Sequence, residues 1–160
     1  AKEAVGVAAC TFFGHRDCPA SIRPALRSVL LELIEEKGVS TFYVGSQGAF
    51  DALAASVLQE LRTQYPHIRC RMVLAYFPRQ QDAFPLETLP PEGIEAVPRR
   101  FAISWRNRWM LRQADYVVTY VTHGWGGAAQ FAALAQRQGK FVYDLAPKSR
   151  AGGACGFPAE

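Results

Sequence analysis

The chain has 160 residues, 49% of them hydrophobic and 20% charged, with 18 basic against 14 acidic side chains and a formal net charge of +4. That length buries roughly two-thirds of the unfolded surface in one core, so a single domain is expected, and the composition argues against disorder and offers no apolar run near the roughly 20 residues of a membrane helix. The N-terminus shows no signal-peptide pattern, so the expectation is a soluble, cytoplasmic protein with no membrane partner.

Residues 5–11 form a short apolar run that stops before Gly14, the pattern of a first strand buried on both faces. Residues 20–37 repeat apolar side chains at Ile22, Leu26, Val29, Leu30, Leu33 and Ile34, a helical period closed by Gly38. Residues 39–44 are β-branched and aromatic, a second strand, and lead through Gly45-Ser46-Gln47-Gly48 into a helix carrying Phe50, Leu53, Ala54, Val57, Leu58 and Leu61. Residues 68–75 give a third strand, and residues 76–98 follow with no clear period, a connection long enough to be functional or mobile. Residues 101–114 read as a helix with Trp105, Trp109, Met110 and Leu111, residues 116–121 as a strand, residues 126–138 as an Ala-rich helix ended by Gly139, and residues 141–145 as a fifth strand.

This alternation predicts a Rossmann-like, doubly wound α/β three-layer sandwich with a mostly parallel sheet of about five strands. It is read as a single domain over residues 1–145, with residues 146–160 as an extended C-terminal tail. In such sheets ligands bind beyond the carboxyl strand ends, where the strand order reverses. The four cysteines, Cys10, Cys18, Cys70 and Cys155, lack the spacing of a zinc site, and Cys10 and Cys70 fall in apolar runs as small core residues. Neither a disulfide, a metal nor a cofactor is expected.

Three loops after strands carry the chemistry. In the first, Thr11-Phe12-Phe13-Gly14-His15-Arg16-Asp17, glycine permits close backbone approach while His15 and Arg16 can donate to phosphate or a purine edge; the other reading is a plain turn with both side chains idle. In the second, Gly45 and Ser46 open a helix bearing Phe50 and Asp51, which suits an anion or a ribose; Ser46 reads equally as an N-cap and Asp51 as an ordinary first-turn carboxylate. The third, from Thr122 and His123 through Gly124-Trp125-Gly126-Gly127 to Gln130, has three glycines within four residues, the property of a phosphate cradle or of a tight turn, and is neither GxGxxG nor a P-loop. A fourth element, Arg106-Asn107-Arg108, sends one or two of its three side chains inward. With Arg99, Arg100 and Arg112 it is either an anion-facing cluster or a solvated helix face, and a charge of +4 is too modest to name nucleic acid.

Gly14-His15-Arg16, Arg106-Asn107 ahead of Ala114-Asp115-Tyr116-Val117-Val118, and Gly124-Trp125-Gly126-Gly127 occur in that order, and together they resemble the YpsA/YoqJ-like branch of the SLOG superfamily, which includes the LOG enzymes and the DprA Rossmann domain. The likeness covers residues 5–145. It implies a Rossmann-like domain that binds a nucleotide-derived small molecule of the ADP-ribose, NAD or cyclic-nucleotide type, in bacterial stress or antiphage signalling and on mobile elements. From the loops and these motifs together, the expected ligand-binding residues are Thr11, Gly14, His15, Arg16, Gly45, Ser46, Phe50, Arg106, Asn107, Thr122, Gly124, Trp125, Gly126, Gly127 and Gln130. In the LOG enzymes a PGGxGTxxE motif supplies a catalytic glutamate, and here Gln130 stands in its place. Glutamine cannot act as a general base or offset an oxocarbenium charge. The expectation is therefore a sensor or sequestering protein rather than an enzyme, with no catalytic residue assigned. The alternatives are a nucleotide N-glycosidase using another carboxylate, from Asp17, Asp51 or Asp115, and a nucleic-acid-binding module. The apolar face of the helix with Trp105, Trp109 and Met110 leads to an expected homo-oligomer, a dimer or tetramer.

Overall fold

The computed structural model describes residues 8–79 and 81–147. Six parallel strands, β1 (Ala8–Gly14), β2 (Val39–Val44), β3 (Arg69–Val73), β4 (Glu87–Leu89), β5 (Tyr116–Tyr120) and β6 (Phe141–Asp144), form one sheet in the order β4-β3-β2-β1-β5-β6. Four helices connect them: α1 (Arg23–Glu35), α2 (Ala49–Gln64), α3 (Ala102–Gln113) and α4 (Gly127–Arg137). The architecture is the expected Rossmann-like α/β sandwich, with one strand more than the sequence pattern predicts.

Alternation along the central strands sorts the core into two layers. Cys10, Phe12, Phe42, Val118 and Tyr120 face α1 and α2, meeting Leu26, Leu30, Phe50, Val57 and Leu58. Phe13, Val73 and Val117 face the opposite way, onto Met110 and Leu111 of α3 and Phe131 and Ala135 of α4. Each central strand is thus covered on both sides, which is why it reads as a continuous apolar run. α1 opens with Pro24 in its first turn and stops before Gly38, whose φ of 71° suits glycine.

Three expectations change. The first strand runs three residues further than read, so Gly14 is its last residue and no longer a loop glycine, while residues 5–7 lie outside the described residues. The 76–98 segment contains β4, paired with β3 through Arg71↔Glu87, Met72↔Thr88 and Val73↔Leu89. Ser46 caps nothing; the N-cap of α2 is Gly48. The expected tail lies outside the described residues from residue 148 on, as does Cys155.

Cys10 and Cys70 are buried in the core, where loss of solvent disfavours the thiolate and pushes Cys70 up to about 12 and Cys10 well above its ordinary range. Both are expected to resist a thiol reagent at pH 8 in the native protein and to react once it is unfolded in denaturant. Peptide mapping checks this, and labelling of either under native conditions contradicts the packing. Among the described residues no helix is long and apolar enough to cross a membrane.

Candidate functional site

The strand order reverses between β1 and β5, and the carboxyl ends of these two strands open into a cleft of about 460 Å³. Four separate stretches of chain line it: Phe12 to Asp17 from the end of β1; Gln47 and Asp51 from the start of α2; Ile103, Arg106, Asn107 and Met110 from α3; and His123, Trp125, Gly126, Gly127 and Ala128 from the turn into α4.

His15 anchors one wall. Its backbone N–H donates to the Tyr120 carbonyl (3.1 Å), and its Nε2 accepts the backbone N–H of Thr122 (2.9 Å), so the β1 and β5 loops are tied together. An Nε2 that accepts an N–H carries no proton, which leaves the neutral ring with its proton on Nδ1. Burial first, then the adjacent His123, hold His15 below the usual histidine range, against a weaker opposing pull from Asp144. The His123 ring lies flat on His15 (3.8 Å between centroids, 13° between planes), and Trp125 lies flat on His123 (3.7 Å, 18°). The two histidines and the tryptophan form a three-ring column along one edge of the cleft.

Arg106 and Asp51 sit opposite. Arg106 is only 2% exposed, with Nε donating to the Asn107 side-chain oxygen (2.8 Å) and Nη1 to the Val73 carbonyl (3.2 Å). Asp51, 7% exposed, accepts the Gln47 N–H at Oδ2 (2.9 Å). Gly45 makes the arrangement possible: a Cβ there would stand 2.8 Å from Asp51 Oδ2 and 2.9 Å from the Arg106 guanidinium carbon. Burial pushes the Asp51 carboxyl up to about 6, even though Arg106, the Gln47 N–H and Arg16 all favour its charged form. A carboxyl poised there can both give and take a proton near neutral pH.

The turn into α4 is bare. Gly126 is the N-cap with a φ of 96°, and no side chain caps the helix. Gly124 and Gly127 have no such backbone requirement, and a Cβ at either would meet nothing within 4 Å. The fold therefore does not demand glycine at 124 or 127. The free N–H groups of a helix start and the helix dipole favour an anion at this place.

No family model matches the chain, and no curated protein matches it in sequence. The structure superposes on DNA processing protein A (DprA) from Streptococcus pneumoniae with a TM-score of 0.63 and 16% identity, over 91% of this chain. The fold is DprA-like. This chain spans about half (52%) of the DprA chain.

On this DprA-like frame the expected ligand residues divide. Gly14, His15, Arg16, Arg106, Asn107, Trp125, Gly126 and Gly127 line the cleft, and Thr122 reaches it through the N–H that fixes His15. Thr11 and Phe50 do not: Thr11 is buried with its hydroxyl donating to the Tyr43 carbonyl (2.8 Å), and the Phe50 ring is in the core under Gly14. Gly45 acts from behind, by admitting Arg106 and Asp51, while Ser46, Gly124 and Gln130 are not among the lining residues. Of the arginines in α3 only Arg106 points inward, while Arg108 and Arg112 are exposed; ahead of the helix, Arg99 lies over the Tyr76 ring and Arg100 over the Phe101 ring. Asp115 accepts the Ala9 N–H at 3.1 Å and donates its own N–H to the Ala9 carbonyl (2.9 Å), at the amino end of the sheet and away from the cleft, so Asp115 pins β1 to the start of β5.

The expected ligand-binding set leaves out Gln47, Asp51 and His123, although all three stand in the candidate loops and Asp51 is among the candidate carboxylates. A signal for Asp51 exists: it stands three residues after the N-cap glycine, the position from which a side chain folds back over the helix start. His123 carries a weaker one, as the third residue after β5, the strand at the switch point.

Proposed function

We propose that the cleft binds a nucleotide-derived small molecule of the ADP-ribose, NAD or cyclic-nucleotide type, and that the protein senses or sequesters it. The observation that carries this reading is the uncapped, side-chain-free start of α4, with Gly126 and Gly127 lining the same cleft as Arg16 and Arg106. Backbone N–H groups and two guanidinium groups around one opening suit a phosphate ester. The motif likeness to the YpsA/YoqJ-like SLOG branch adds the link to stress or antiphage signalling.

Calorimetric titration with ADP-ribose, NAD, cyclic ADP-ribose and nucleoside monophosphates tests it, and no heat from any of them at high micromolar concentration defeats it. Gly127→Ala sharpens the test. Alanine is the better helix former by up to about 1 kcal/mol, so the variant is expected to fold at least as stably as the native chain. Its methyl group would occupy the anion's approach, and ligand affinity is expected to fall by about tenfold or more. Undiminished affinity in a folded Gly127→Ala protein removes α4 from the site.

A second reading, a nucleotide N-glycosidase, has one observation in its favour: Asp51 places a protonatable carboxyl in the cleft, where Gln130 offers none. Release of free base from nucleoside monophosphates, abolished in Asp51→Asn, supports it; intact nucleotide after prolonged incubation ends it. Of the apolar face expected to pair copies of the chain, Met110 is buried in the core and Trp109 packs edge-on against Tyr43, which leaves Trp105; a homodimer or tetramer is proposed through the groove where Phe101 and Trp105 stand exposed, and a monomeric mass in sedimentation overturns that.

A further inference from the structure

Five large apolar side chains are exposed among the described residues, Phe77, Phe101, Trp105, Trp125 and Phe141, and Trp125 is the one that lines the cleft. It is 72% exposed, yet its ring is not free to turn without losing its contact with His123. His123 in turn rests on His15, and His15 is locked by the Thr122 N–H and by its own N–H to Tyr120. The indole is thus held flat from behind by a column rooted in the sheet. Its outer face meets no other ring among the described residues, and the glycines on either side of it carry no side chain to crowd that face. The aromatic floor of the cleft offers no comparable surface, because Phe12 and Phe13 are buried.

We propose that the outer face of Trp125 is a seat for a heteroaromatic base, pre-oriented by the His15–His123–Trp125 column. This rests on the reading of the cleft as a nucleotide site and assigns the two ends of the ligand: the base stacks on Trp125, and its phosphate lies at the start of α4, beginning two residues further along the chain. A rigid indole loses little conformational freedom when a base lands on it, so stacking converts efficiently into affinity. Replacing such a platform by alanine weakens base binding by about 5- to 150-fold. The face is indifferent to which base it takes, since every base presents a π-surface.

The full chain and its Trp125→Ala and Trp125→Phe variants are to be titrated with AMP and with ribose 5-phosphate, which keeps the anion and lacks the base. The expected result is AMP binding at least about tenfold tighter than ribose 5-phosphate in the native protein. Trp125→Ala brings AMP down to the ribose 5-phosphate level, Trp125→Phe keeps most of the difference, and ribose 5-phosphate itself binds all three proteins alike. Equal affinity of the native protein for the two probes, or an AMP advantage that survives Trp125→Ala, overturns the seat and leaves the anion site standing. Binding of neither probe overturns the seat, and if ADP-ribose, NAD and cyclic ADP-ribose fail as well the nucleotide reading falls with it. A 5′-phosphorylated oligo-dA that binds tenfold tighter than AMP, and loses this advantage in Trp125→Ala, keeps the stacking seat and overturns the small-molecule ligand.

Discussion

Asp51→Asn is expected to make the protein more stable at neutral pH, by about 2 kcal/mol. The Asp51 carboxyl titrates near 3.8 in an unfolded chain and at about 6 in the fold. Below the lower value both states hold the proton and the group has no effect on stability. As pH rises from there to about 6 the unfolded chain releases its proton first, so stability falls, and above about 6 the full penalty is in place. The interval is worth about 3 kcal/mol. An asparagine amide facing Arg106 gives some of the gain back, hence the smaller figure at neutral pH. Urea unfolding of both proteins from pH 3.5 to 8 reads the effect: the two stability curves should separate between pH 4 and 6 in favour of the variant. Parallel curves would show that Asp51 is not held protonated by burial. A carboxylate that weakens the fold at neutral pH is a reason to look for its use in the cleft it lines.

Gly14→Ala should be damaging out of proportion to one methyl group. An added Cβ would lie 2.2 Å from Phe50 Cδ2 and 2.7 Å from Phe50 Cβ, with no intervening space. Phe50 has little room to yield, since its ring is stacked with Tyr120 at 6.3 Å and tilted against Phe12 at 6.4 Å inside the α1–α2 layer of the core. Overpacking of this kind costs about 3 kcal/mol, and the displaced α2 start would carry Gln47 and Asp51 with it. Because one clash is responsible, it can be relieved at the other partner. Phe50→Ala on its own should cost about 3–5 kcal/mol, yet the Gly14→Ala/Phe50→Ala double variant should be less destabilised than the sum by at least about 1 kcal/mol. Strict additivity of the denaturant midpoints would mean that Gly14 and Phe50 do not meet.

These two positions also show what could be read from the chain and what could not. Gly14 announces itself beside His15 and Arg16, and the sequence reading placed all three at a ligand. All three line the cleft, and the glycine also packs closely against Phe50, a contact between residues 36 positions apart that no local pattern encodes. The helices were legible because Leu26, Leu30 and Leu33, or Leu53, Val57 and Leu61, repeat at one helical face. β4 was not: three residues, with Glu87 and Thr88 among them, carry no period, and what makes them a strand is pairing with β3 across the sheet. Asp51 looked like any first-turn carboxylate, since its proton affinity depends on burial beneath Arg106, about a third of the chain away. The loops after the strands were visible by their glycines, while the chemistry inside them depended on distant packing.

The cleft draws on residues 12–17, 47–51, 103–110 and 123–128, so none of its walls exists until the sheet has assembled. A compound that settles there meets a partner only in the complete native state, and melting of the whole molecule should register its presence. At a hundredfold excess over its dissociation constant it would add about 2.7 kcal/mol to the unfolding free energy. A calorimetric melting scan through a metabolite library is therefore a direct route to the cargo, requiring no prior guess at the chemistry.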